Sequence, residues 1–194
     1  METTSPDIKV VYLSASTTQK SRTPPPVATP PQKKVITTTQ KWKHICAADL
    51  EPEKQLELLH ASHKFYNGDA PPPPPPHYGI IIDHIKQKIG GYRAQDQLKE
   101  KYCAAEFVDI ARVFEMLVSC NMECHYCKNP VMLLYEYVRE PRQWSLDRID
   151  NSRGHVRDNL LIACLTCNLR RRTIKTERYE LTKKCVNIRR EGLS

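Results

Sequence analysis

Two Cys-x-x-Cys pairs, Cys124 with Cys127 and Cys164 with Cys167, constrain this chain more than any other feature. Two cysteines three apart can place both thiolates on one ion. Four thiolates at Zn–S distances of about 2.3 Å close a tetrahedral zinc site with no position left for a substrate, so the expected site is structural. The 36 residues between the pairs exceed the usual zinc-ribbon gap and must hold a structure of their own. Cys46, Cys103, Cys120 and Cys185 stand alone, as small apolar core residues commonly do. Cys120 and His125 lie near enough in sequence to serve as substitute ligands.

The framed segment predicts strand, turn, strand and helix. Residues 144–149 have strand character, residues 159–164 form a second strand, and the polar run 150–158 is the long turn between them. A helix is expected from Asn168 through residue 183, offering Leu169, Ile174 and Leu181 for burial. The fold class is therefore α+β: a small ββα finger stapled by zinc and preceded by helices.

Upstream, residues 1–45 are rich in Thr, Ser, Pro and Lys and predict a disordered tail. Residues 46–70 predict a short amphipathic helical segment with Pro52 in its first turn and Gly68 as its stop. Six consecutive prolines, 71–76, predict an extended polyproline linker that separates this segment from the domain of residues 77–190; an aromatic-grooved, proline-binding protein is the partner such a run suits, and a plain spacer is the alternative. Within residues 78–119, Ile80, Ile81, Ile82, Ile85 and Ile89 form one helical face, Gly90 and Gly91 interrupt it, and Phe107 to Leu117 repeat at helical spacing again.

Charge is segregated. Residues 1–44 carry 7 Lys or Arg against 2 acids, residues 45–168 carry 14 against 17, and residues 169–190 carry 9 against 2. A basic C-terminal block suits a polyanion, because each phosphate it neutralises releases counterions; a solvated helix face is the alternative. The sequence shows neither a secretory leader nor an apolar run of roughly 20 residues, so the expected location is intracellular, not secreted and not membrane-bound.

Cys-x-x-Cys, Ser-Leu-Asp-Arg-Ile-Asp-Asn-Ser-x-Gly, Asp-Asn-Leu and Cys-x-x-Cys-Asn-x-x-Arg, read in order over residues 124–172, resemble the HNH (His-Me finger, ββα-metal) endonucleases, and most of all the zinc-containing members from phages and large eukaryotic DNA viruses. The resemblance implies metal-dependent hydrolysis of DNA phosphodiester bonds. By that resemblance Asp147 and Asn168 ligate a catalytic Mg²⁺ or Mn²⁺, and Asn159 hydrogen-bonds across the turn to orient the catalytic residue. The chain departs from the pattern at Arg148, where relatives commonly have the histidine that activates water. An arginine has no acceptor and does not give up its charge, so it suits phosphate binding rather than base chemistry. His155 is the nearest imidazole and the replacement base to test. Arg153, Arg170, Arg171, Arg172 and Lys175 are the expected nucleic-acid contacts. With its base lost, the same scaffold would be a zinc-finger module that binds nucleic acid without cutting it.

Overall fold

The computed structural model of the protein describes residue 42 and residues 44–191. Helix α1 spans Pro52–Tyr66, α2 Tyr78–Leu98 and α3 Ile110–Ser119; strands β1 (Trp144–Arg148) and β2 (Leu160–Cys164) follow, then helices α4 (Leu165–Arg171) and α5 (Thr176–Glu191). The expected tail lies outside the described residues except at its end, where Trp42 is buried against the rings of His84 and Tyr135.

Helix α1 begins on Pro52, whose missing N–H costs nothing in a first turn, and its exit passes through Gly68 at φ 81°. It is no separate segment. Leu58 and Leu59 enter the same core as α2 and α3, and the Gln55 side chain crosses to the C-terminal half of the chain, where its oxygen accepts the backbone N–H groups of Leu133 (2.6 Å) and Leu134 (2.9 Å). The proline run is correspondingly no spacer. It bends at Pro72 and Pro73, and Phe65 meets Tyr78 edge-on at 4.8 Å across it.

Helix α2 buries Ile81, Ile82, Ile85 and Ile89, and it continues through Gly90 and Gly91 instead of breaking there. Both glycines face open space, and their propensity cost of about 1 kcal/mol each is too small to undo a helix docked by four isoleucines. Asp109 caps α3 by accepting from the N–H of Arg112 at 2.9 Å, so Phe107 precedes the helix and bridges to Val156 instead.

Strands β1 and β2 pair antiparallel with Leu146 opposite Ile162 and Asp147 opposite Leu161. A two-stranded ribbon is marginal alone, and here its outer edges are taken up. On β1 the N–H of Leu146 donates to the Tyr92 hydroxyl of α2 and that of Trp144 to the Met132 carbonyl; on β2 the Ile162 carbonyl accepts from the N–H of His125.

The single C-terminal helix expected from the sequence is two helices. Arg172 takes φ 51° and ends α4, and the chain restarts at Thr176, whose hydroxyl donates to the Ile149 carbonyl. The break leaves Leu169, Ile174 and Leu181 at 57%, 41% and 60% exposure, so the residues expected to bury α4 and α5 face out. Arg171 and Tyr179 are buried in their place. No helix among the described residues is long and apolar enough to cross a membrane.

Candidate metal centre and ββα finger

The knuckle after α3 and the start of α4 bring four sulfurs together. The Sγ atoms of Cys124, Cys127, Cys164 and Cys167 all lie within 4.8 Å of one another, and those of Cys127 and Cys164 are 3.9 Å apart. Tetrahedral zinc with bonds of about 2.3 Å needs sulfurs about 3.8 Å apart, so the cluster fits such an ion with little contraction. Backbone amides are already turned to the sulfurs, Cys164 N–H toward Cys124 Sγ (3.3 Å) and Cys167 N–H toward Cys164 Sγ (3.4 Å). The sulfurs also perturb one another: contact with Cys124 pushes the Cys164 thiol up and the Cys167 thiol up to about 11. A divalent ion removes that conflict, because it stabilises all four thiolates together. His125 is no substitute ligand, since its Nε2 pairs with Glu180 at 2.6 Å. Cys120 also stays outside the cluster, its thiol pushed up by burial.

At the finger Asp147 and Asn168 are each held by protein partners. Asp147 is 5% exposed and its carboxylate accepts three hydrogen bonds: Arg171 Nε donates to Oδ2 at 2.5 Å, Arg171 Nη2 to Oδ1 at 2.7 Å, and the Tyr126 hydroxyl to Oδ2 at 2.7 Å. The guanidinium, itself fully buried, also donates to the carbonyls of Arg148 and Ile174 and to Asn151 Oδ1. Burial works against its charge, and the hydrogen bonds and charge of Asp147 more than offset this, raising its pKa. Asn168 turns its amide nitrogen toward β1, donating to Ser145 Oγ and the Leu146 carbonyl at 3.1 Å each. Arg171 thus fills the place beside Asp147 where the resemblance implies a cation. As a nucleic-acid contact it is accordingly corrected: a fully buried guanidinium held by five protein acceptors is out of reach of a phosphate.

The turn is organised around two residues. Asn159 staples it internally, accepting from Asp150 N–H (2.8 Å) and donating to the carbonyls of Asp150 (2.9 Å) and Gly154 (3.0 Å). His155 anchors it to α2. Its backbone N–H and its Nδ1 both meet the fully buried Asp96 carboxylate, at 2.5 and 2.8 Å, and its ring stacks on Tyr92 at 4.5 Å. Burial lowers the imidazole pKa although Asp96 pulls it up, so near neutrality the ring is uncharged and donates from Nδ1. Arg148 lies on this side as well, with Nη1 3.9 Å from Asp96 Oδ1 and 3.2 Å from the Arg153 carbonyl. Arg153 itself pairs with Asp158 at 2.7 Å.

Asp96, Tyr92 and Tyr126 were not among the residues expected to matter. For Asp96 the signal was in the sequence: it continues the stripe Ile82, Ile85, Ile89 at helical spacing, and a carboxylate on an apolar stripe must find a partner. Arg170, Arg172 and Lys175 are exposed at the joint between α4 and α5, and none forms an ion pair among the described residues. Comparison with protein-family models, curated proteins and solved structures finds no match for this chain.

Proposed function

We propose that this protein is a nucleic-acid-binding module built on a zinc-stapled ββα finger, and that Asp147 within it is a structural carboxylate. The observation that carries this reading is how α4 and its exit divide their arginines. Arg171 turns inward and neutralises Asp147, while Arg170 and Arg172 turn outward with Lys175 and meet no acid. A carboxylate already holding a bidentate guanidinium and a phenol has three of its roughly four acceptor positions taken and its charge neutralised, which disfavours a divalent ion, and Arg148 stands where a base would be needed. Free guanidinium and ammonium groups beside a rigid finger suit the phosphates of a nucleic-acid backbone. Zinc, when bound by Cys124, Cys127, Cys164 and Cys167, supplies the fold and no chemistry. DNA is the polymer named by the HNH resemblance.

The test is titration of the zinc-loaded chain with fluorescein-labelled duplex DNA. Submicromolar binding at 50 mM salt that weakens steeply with salt is expected, and Arg172→Gln with Lys175→Gln should weaken it further. Salt-independent binding, or none, overturns the reading.

The Asp96–His155 pair favours a second reading, a nuclease in which His155 is the base and Arg148 holds the phosphate. A neutral imidazole oriented by a carboxylate at 2.8 Å is a competent proton acceptor at its other nitrogen. Supercoiled plasmid separates the two: nicking that disappears in His155→Gln supports the nuclease, and intact plasmid supports the binder.

A further inference from the structure

The four-cysteine cluster opens onto a groove of about 620 Å³, of which the readings above use only Arg170. Its lining holds three cations, Arg142 from the loop before β1, Arg170 from α4 and Lys183 from α5, and no acidic residue among the described ones. Arg142 and Arg170 are exposed, and none of the three forms an ion pair among the described residues. Lys183 lies over the Tyr179 ring at 5.5 Å, which steadies the ammonium without neutralising it. The Asn129 amide adds a polar group to the same wall. Arg170 lines this groove and is followed in the chain by the exposed Arg172 and Lys175.

Three cations from three separate elements, converging on one groove without an acid, need an anion. Part of that need is met by zinc bound to four thiolates, which carries a formal charge of −2. One positive charge is left over in the groove, and it joins those of Arg172 and Lys175. Extended, evenly spaced negative charge is what cations at successive positions along a chain fit.

We propose that the groove beside the zinc cluster is a second phosphodiester-backbone site, in which Arg142 and Lys183 hold phosphates of the strand whose neighbouring phosphates lie against Arg170, Arg172 and Lys175. The proposal rests on the nucleic-acid reading above and extends it to the groove beside the cysteine cluster. It makes the zinc cluster part of the binding surface as well as the staple of the fold.

The experiment uses the zinc-loaded full chain and its Arg142→Gln, Lys183→Gln and double variants. Affinity for labelled duplex DNA, single-stranded DNA and duplex RNA is measured between 50 and 200 mM salt, with zinc content measured on each sample. For duplex DNA each variant should lower the slope of log K against log salt by about 0.9, and the double variant by about 1.8, with one zinc per chain retained. The polymer with the largest loss identifies the strand bound. Variants that keep wild-type slopes while Arg172→Gln lowers them overturn the groove alone. Variants that lose zinc and keep their affinity show that the cations serve only the thiolates, which also overturns it. If the unsubstituted chain binds none of the three polymers, the nucleic-acid reading and the groove fall together.

Discussion

Replacing Arg171 by alanine tests the inward-turned guanidinium directly. The substitution leaves Asp147 buried with Tyr126 as its one remaining donor, and it strips the Arg148 and Ile174 carbonyls and Asn151 Oδ1 of theirs. Removing one partner of a buried ion pair costs roughly 3–5 kcal/mol, because the other charge is left uncompensated. With three further acceptors orphaned, the upper end is expected, about 5 kcal/mol. That is a third or more of the stability of a domain worth about 5–15 kcal/mol. Urea unfolding of the zinc-loaded protein, followed by tryptophan fluorescence and extrapolated to water, measures the loss. Asp147→Asn in the Arg171→Ala background should recover part of it by removing the stranded charge, a non-additivity that a cycle of the four proteins reads out. The competing arrangement, Asp147 as a ligand for Mg²⁺, makes the opposite forecast. An ion held with a Kd of about 1 mM would stabilise the unsubstituted protein by about 1.4 kcal/mol at 10 mM. A loss below about 1 kcal/mol in Arg171→Ala, or magnesium stabilisation that vanishes in Asp147→Ala, refutes the reasoning.

Gln55→Ala should cost about 3 kcal/mol in the same unfolding assay, since it orphans two buried N–H groups, and Leu133 and Leu134 should then lose amide-exchange protection first. Gly154→Ala would set a Cβ 2.3 Å from the Lys101 carbonyl oxygen and 2.8 Å from Asp96 Oδ2, so a loss of about 3 kcal/mol is expected, and a variant as stable as the parent would contradict the close approach. Burial, followed by the charge of Lys88, lowers the His84 pKa to about 4, below its unfolded value. Its contribution is therefore present above about pH 6.5 and lost as pH falls toward 4, because the unfolded chain takes up a proton that the folded one refuses. About 3 kcal/mol is at stake over that window, His155 acts in the same direction, and the difference between the parent and His84→Gln across pH 6.5 to 4 isolates the His84 share.

What the sequence made legible was periodicity and ligand spacing. The apolar stripe of α2, the strand character of the hairpin and the two cysteine pairs each declare themselves within a few residues, and the structure assembles them as an α+β fold with a four-sulfur cluster. What it hid was long-range polar pairing. Nothing local says that Gln55 will satisfy Leu133 and Leu134, so α1 read as detached when it is part of the core. Arg170, Arg171 and Arg172 are three identical letters, yet the middle one is buried, because only its position on α4 points at Asp147. That inward turn also explains the break at Arg172, where the guanidinium takes the Ile174 carbonyl and bends the chain behind it. His155 was expected in the turn and is there, but its role as anchor depends on Asp96, 59 residues away.

That anchor decides how portable the finger is. The hairpin leans on α2 through the Tyr92 hydroxyl beneath Leu146, and the turn leans on it again through Asp96. Residues 124–172 are therefore not a cassette that recombination can lift onto a foreign scaffold. A graft lacking α2 would close its four-cysteine cluster and leave its turn untethered, so the segment that carries the motif and the helix that disciplines it must travel together.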